Sequence, residues 1–146
     1  MKKFLFFAIA LVASAMVFTG CNKDKNDASP IKGIKFCCDL DRGQTPVREY
    51  LYFGYSDDFE WGMEIYEDQE RTKMLSASGD YGTYVLNEEK QYIDMTFKGS
   101  FNITNGERHN HEGQAAHKDG RWTYKFNGDT ICITAENGTT HKYWKK

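Results

Sequence analysis

Trp122-Thr123-Tyr124-Lys125-Phe126-Asn127-Gly128-Asp129-Thr130-Ile131-Cys132-Ile133-Thr134 holds two alternating runs around an Asn-Gly-Asp turn. In an extended chain successive side chains point to opposite faces. Trp122, Tyr124 and Phe126 therefore share one face of the first run, and Ile131 and Ile133 share one face of the second. Asn-Gly suits a tight hairpin because a type I′ turn needs positive φ at both central residues. A helix would need a continued stripe of apolar residues three and four apart, which this stretch does not sustain. The stretch reads as a hairpin with one apolar face.

The same pattern extends in both directions. Downstream, Glu136-Asn137-Gly138-Thr139 is a second Asn-Gly turn, leading to a short final strand at His141-Lys142-Tyr143-Trp144-Lys145. Upstream, Ile93, Met95 and Phe97 alternate with polar residues, as do Trp61, Met63 and Ile65 with Glu60, Gly62 and Glu64. Asn87-Glu88-Glu89-Lys90 closes a longer hairpin between strands at 82–86 and 91–98, and earlier strands are expected at 33–38, 50–55, 61–66 and 71–76. Eight or nine short strands joined in sequence predict an all-β domain over residues 31–146. Closing the sheet removes its exposed edges, so the expectation is a small antiparallel up-and-down barrel of about eight strands. A two-sheet sandwich is the alternative.

The chain has 146 residues, of which 40% are hydrophobic, 15% aromatic and 27% charged. That is ordinary globular composition, rich in aromatics. A net charge of -2 and a pI near 6.1 give no electrostatic basis for nucleic-acid binding. The amino-terminal segment differs. Met1-Lys2-Lys3 is basic, and residues 4–18 are apolar or small throughout. As a helix that run rises about 22 Å, short of a hydrocarbon core of about 30 Å, so it reads as a secretory signal. Its end, Phe18-Thr19-Gly20-Cys21, resembles the lipobox of bacterial lipoproteins. The resemblance implies cleavage after residue 20, lipidation of Cys21 with fatty-acyl groups such as palmitate, and anchoring in the cell envelope. A plain cleaved signal with an incidental cysteine is the alternative. Cleavage removes Lys2 and Lys3 and takes the net charge to -4. Residues 21–30, polar or small up to Pro30, read as a tether too polar to bury apolar surface. Asn22 after the cysteine resembles an outer-membrane address, and the charged tether resembles the surface-export signals of Bacteroidetes-type lipoproteins.

Gly82-Thr83-Tyr84-Val85-Leu86, Tyr92-Ile93-Asp94-Met95-Thr96-Phe97 and the hairpin beginning at Tyr124 together resemble the carboxy-terminal half of bacterial lipocalin-like lipoproteins. The likeness covers about half of residues 31–146. It implies a lipocalin-like barrel that holds a small apolar ligand.

Candidate site residues follow from these faces. Trp61, Met63, Phe97, Trp122 and Tyr124 could line a pocket for an apolar ligand, since such pockets are mostly hydrophobic. The competing expectation is that the same rings fill the barrel, leaving a structural domain that meets another envelope protein. His109, His111 and His117 are weak candidates for a metal site, because three histidines suit Zn²⁺ with one open position. An exposed polar loop explains them as well. With Cys21 lipidated, Cys132 could bond to Cys37 or Cys38, or all three could be packed thiols. Asp57, Asp58, Glu60, Glu67, Asp68 and Glu70 read as a solvated acidic surface around the middle hairpin. The sequence has no Gly-x-Ser-x-Gly, no phosphate loop and no His-Glu-x-x-His, so no catalytic residue and no cofactor is expected.

Overall fold

A computed structural model describes residues 29–43 and 45–146; the leader, Cys21 and most of the tether lie outside the described residues. Nine strands make one antiparallel sheet: β1 (Ile34–Arg42), β2 (Thr45–Phe53), β3 (Asp58–Tyr66), β4 (Met74–Asn87), β5 (Tyr92–Thr104), β6 (Glu107–Glu112), β7 (Gly120–Phe126), β8 (Thr130–Thr134) and β9 (Thr140–Lys145). Their spatial order is β4-β3-β2-β1-β9-β8-β7-β5-β6, and β4 also pairs with β5. Every strand except β6 therefore belongs to a closed ring of eight. The all-β barrel expected from the alternation is the fold observed.

The ring closes unevenly. β1 meets β9 through only two residue pairs, Phe36 with Lys145 and Cys37 with Trp144. β5 is shared end to end: residues 92–95 pair with β7, and residues 99–104 pair with β6. We call the closed part, which contains Phe53, Tyr84 and Ile93, the lower half. The upper half is the open sheet made by the far ends of β1 to β5 together with β6.

A bulge divides the two. Tyr81 pairs with Gly99 and Gly82 with Phe97, so Lys98 has no Cα partner on β4. One unpaired residue reverses the faces of everything beyond it. Below the bulge, Ile93 and Met95 point into the core. Above it the even residues Ser100 and Asn102 take the inner face, while Phe101 joins a second cluster outside with Cys37 and Tyr50. The backbone groups disturbed by the bulge are satisfied from afar: Phe97 N donates to Asp119 Oδ1 at 2.7 Å, and Gly113 N to Lys98 O at 2.8 Å.

The lower core is dry and aromatic. Phe36, Phe53, Phe59, Tyr84, Ile93 and Tyr143 are at most 2% exposed. Phe53 meets Tyr84 edge-on at 5.0 Å, and Phe36 meets Phe126 at 5.9 Å. On the outside of the upper half, Cys37, Tyr50, Gly62, Gly79 and Phe101 form one row across β1 to β5. A Cβ on Gly79 would lie 2.3 Å from Trp61 O, and one on Gly62 would lie 3.2 Å from both Phe101 and Tyr50. The two glycines let the rings lie flat over the sheet. Arg108 and Lys35 then stack on Phe101 and Tyr50 at 4.2 and 4.0 Å.

The cysteine pairing does not form: Cys37, Cys38 and Cys132 are free thiols. Cys37 packs in the outer cluster and Cys38 against the inner core. Cys132 lies on β8, separated from β1 by the whole of β9. Two inter-strand steps are about 9.6 Å, beyond the reach of a disulfide. Burial pushes the Cys37 and Cys38 thiols above their ordinary range, which favours the protonated form.

Candidate functional site: a cup above the filled core

The inner face of the upper half is a concave cup of about 520 Å³. Trp61 and Met63 of β3 form its apolar side. Ser78 and Asp80 of β4, Ser100 and Asn102 of β5, and His111 of β6 form the polar side. Register explains this arrangement: Trp61, Asp80, Ser100 and His111 lie in one cross-strand row, and Met63, Ser78 and Asn102 in the next. The connection from β6 to β7 folds over the cup and supplies Gln114, Ala116 and His117.

Asp80 anchors that connection. It is 2% exposed, and its carboxylate accepts from Ala116 N at 3.0 Å, His117 N at 2.9 Å and His117 Nδ1 at 2.6 Å. A buried carboxylate needs such donors, because leaving it unpaired costs several kcal/mol (about 3–5 for a broken buried pair). An ionised carboxylate only accepts, so the ring proton sits on Nδ1 and a neutral His117 keeps a lone pair on Nε2. The imidazole is stacked on Trp61 at 4.6 Å and 11°, and on Phe97 at 5.5 Å and 22°. Its position is therefore fixed by two rings and one carboxylate.

Glu49 serves the other side of Trp61. Its Oε1 accepts from Trp61 Nε1 and from Tyr143 Oη, each at 2.9 Å, and His141 Nδ1 lies 3.8 Å away. Burial first, and then the Glu49 charge, drives the Tyr143 phenol far above its ordinary range, so it stays a donor. His141 meets Trp61 edge-on at 5.4 Å, and Trp122 does so at 5.0 Å. Trp61 is thus held from several sides, and it forms the floor between cup and core.

The structure divides the expected ligand residues. Trp61 and Met63 border the cup. Phe97, Trp122 and Tyr124 pack with the core beneath it. The three candidate histidines are not brought together. His117 is bound to Asp80, His111 Nε2 lies 2.6 Å from Asn102 Oδ1, and His109, on the same face of β6 as His111, is exposed with Glu107 3.9 Å away. Among the described residues no group of three or more ligating side chains is placed to hold a metal ion. The acidic residues also separate, because Asp57, Asp58 and Glu60 lie at the start of β3 and the 67–70 group follows its far end. Asp57 pairs with Lys32 at 2.6 Å, whereas Asp68 accepts from the Thr72 and Lys73 amides at 2.8 Å and closes the β3–β4 loop.

Glu49, Asp80 and His141 were not singled out from the sequence. Asp80 had a signal: it keeps the inward parity of Ser76 and Ser78 in a β run, where an acid needs a partner. An aspartate paired to a histidine is also the orienting half of a hydrolytic triad. Among the described residues no serine or cysteine is hydrogen-bonded to His117, so the pair acts here as a fixed polar group at the cup wall. No protein-family model matches the chain, and a search of the curated proteins finds no match.

Proposed function

We propose that this chain is a lipid-anchored lipoprotein of the cell envelope, held at the outer membrane through Cys21, with surface display possible. Its lipocalin-like barrel binds a small, mainly apolar molecule with a polar end. The observation that carries this reading is the cup of about 520 Å³ above a filled core. Small-molecule sites typically span about 300–1,000 Å³ and combine apolar walls with a few fixed polar groups. Met63 supplies apolar surface, while Asn102 and the His117–Asp80 pair supply the fixed polar groups. The lower core is occupied by Phe53, Tyr84 and Tyr143, so the ligand sits at the mouth of the barrel rather than at its centre. The anchoring part of the reading rests on the leader and on Phe18-Thr19-Gly20-Cys21.

Native mass spectrometry of the full chain, purified from a bacterial envelope in detergent, tests both parts. The expected result is an acylated Cys21 and a second, non-covalent added mass. That second mass disappears in Met63→Trp, which fills the cup. A bare protein mass for both parent and variant would overturn the ligand reading, and an unmodified Cys21 would overturn the anchor. The second reading, a protein-interaction domain, is favoured by one observation. Ile65, Met74 and Leu75 are 37%, 41% and 50% exposed beside one another at the rim. A bare cup, with cross-linking at these three positions to another envelope protein, would select it.

A further inference from the structure

We propose that β6 pairs edge to edge with β6 of a second copy of this chain, and that His109 and His111 from both copies bind a divalent transition-metal ion such as Zn²⁺. Among the described residues β6 pairs only with β5, which leaves its other edge free. All six of its residues are exposed. Natural sheets blunt such edges with prolines, bulges, charges, shortness or a covering segment. β6, Glu107-Arg108-His109-Asn110-His111-Glu112, is short but has no proline or bulge, and its Arg108 and Glu112 are of opposite sign, so an antiparallel copy meets them as complements instead of being repelled.

The backbone fixes which register a second copy can take. The two-residue turn Asn105-Gly106 has positive φ at both positions and joins Thr104 to its partner Glu107. The Gly113 N to Lys98 O bond confirms the parity. Glu107, His109 and His111 aim their N–H and C=O groups at β5, and Arg108, Asn110 and Glu112 aim theirs at the free edge. An antiparallel copy must match outward groups with outward groups. Centring the pair on Asn110 does so and also sets Arg108 opposite Glu112 of the second copy at both ends. A one-residue slip breaks the hydrogen-bond parity, and a two-residue slip removes both Arg–Glu pairings.

In the centred register His109 faces His111 of the second copy at non-hydrogen-bonded positions. There, Cα atoms approach to about 4.5 Å and side chains are closest. Both pairs lie on the inner face, where His111 borders the cup. Four imidazoles thus share one patch, and imidazole suits Zn²⁺, Cu²⁺ and Ni²⁺.

The ring orientations supply a second, independent observation. His111 Nε2 points at the Asn102 carbonyl oxygen, 2.6 Å away, so its proton sits there and Nδ1 keeps the lone pair. His109 Nε2 lies on the carboxylate side of its ring, 3.9 Å from Glu107 Oε2. Metal-binding histidines are held by an outer acceptor on the nitrogen that does not bind metal, as Asn102 holds His111; the Glu107 contact to His109 is longer than a hydrogen bond. Among the described residues one chain places two of these ligands here and no third, so the site is incomplete without the second copy. It does not depend on the cup holding a small molecule.

Sedimentation equilibrium of the full chain in density-matched detergent, after EDTA treatment and then with ZnCl₂ alone, tests the proposal. Zn²⁺ is expected to double the protein mass from that of one chain, and EDTA to reverse it. His109→Gln with His111→Gln should stay at one chain, as should Asn110→Pro, which removes an outward N–H. Co²⁺ in place of Zn²⁺ should give the visible bands of a tetrahedral site in the doubled species only. Circular dichroism reports whether each variant keeps its sheet, and the exposed glutamine pair serves if the proline variant does not. A parent mass unchanged by Zn²⁺ overturns the proposal. So does a doubling that survives in the histidine double variant, since the free cysteines would then be holding the metal.

Discussion

The lower and upper halves of this barrel are built from the same strands and do opposite things with them. In the lower half β1 to β5 continue through β7, β8 and β9 into a ring, and the enclosed side chains are nearly all aromatic or aliphatic and dry. In the upper half the same strands run on without closing, and the inner face turns to Ser78, Ser100, Asn102 and His111. A small closed ring has room only for its own side chains. An open sheet leaves a concave face that water or a ligand must cover, and polar side chains are tolerated there because they keep hydrogen-bond partners. In this molecule closure gives a filled core, and the opening gives a concave polar face.

Four substitutions test that division, beginning with the largest effect. Phe53→Ala in the closed half should lower unfolding free energy by about 3–5 kcal/mol, since a cavity forms where Tyr84 and Phe36 cannot collapse inward. Urea denaturation measures it, and a loss under about 1 kcal/mol would mean the lower half is not the stable core. Gly79→Ala in the open half should cost about 1–3 kcal/mol, because its methyl group meets backbone atoms of Trp61 and Gly62 rather than a movable side chain. The same titration reads it, and a neutral result would show that the upper sheet can relax.

Asp80→Ala removes the acceptor of two backbone amides and one ring N–H. The expected loss is about 1–3 kcal/mol, concentrated in the β6–β7 connection. Hydrogen exchange should quicken at Ala116 and His117 and stay slow at Ile93 and Ile131. Equal quickening in both halves would show them to be one cooperative unit.

The smallest effect is a pH dependence at the open edge of β1. Asp39 lies with its carboxyl below the ordinary range, chiefly through the hydrogen bond from Arg48 at 2.6 Å. A depressed folded-state value means the stabilisation is complete above the unfolded carboxyl value, about 3.9, and is lost as pH falls through the folded one. Asp39→Asn should therefore lower unfolding free energy slightly at pH 7, by no more than about 1 kcal/mol for so exposed a pair, with a small fall in Tm that vanishes once the pH is below the folded carboxyl value. A Tm difference that persists in acid would point to packing instead of charge.

How far the sequence could be read depended on how local the cause was. The turns at Asn127-Gly128 and Asn137-Gly138 stand where expected, but only the glycines take positive φ (99° and 84°), so neither is the type I′ turn that Asn-Gly suggests; the loops are longer, closed by Asn127 N to Thr130 O and Ala135 N to Thr139 O. Their geometry is decided by residues that touch one another along the chain. The strands expected at 71–76 and 82–86 form the single strand β4 from Met74 on, with residues 71–73 in the loop closed by Asp68; Gly79 and Gly82 serve close packing and the bulge pairing within it. β6 was read as part of a loop. Its turn, Asn105-Gly106, carries the same dipeptide and is the one of the three with positive φ at both residues, but a strand exposed along its whole length has no apolar face to announce it. Trp61 and Met63 were legible as cup residues through their alternation. Asp80 and Glu49 were not, since each matters through a partner 37 or 12 positions away.

Period-two alternation and turn residues were enough, by themselves, to make this chain an antiparallel barrel, because both act within a few residues. Which face each residue finally occupies was decided in three dimensions. Ile93, Met95 and Phe97 invite continuation to Gly99, Phe101 and Ile103 on the same side. Yet the unpaired Lys98, stabilised by Gly113 and flanked by the Asp119 contact to Phe97, turns Phe101 outward and Ser100 inward. Parity is a local property only while the ladder is regular. One extra residue, whose backbone finds its partners from a distant connection, turns a continuation of the core into the wall of a cup.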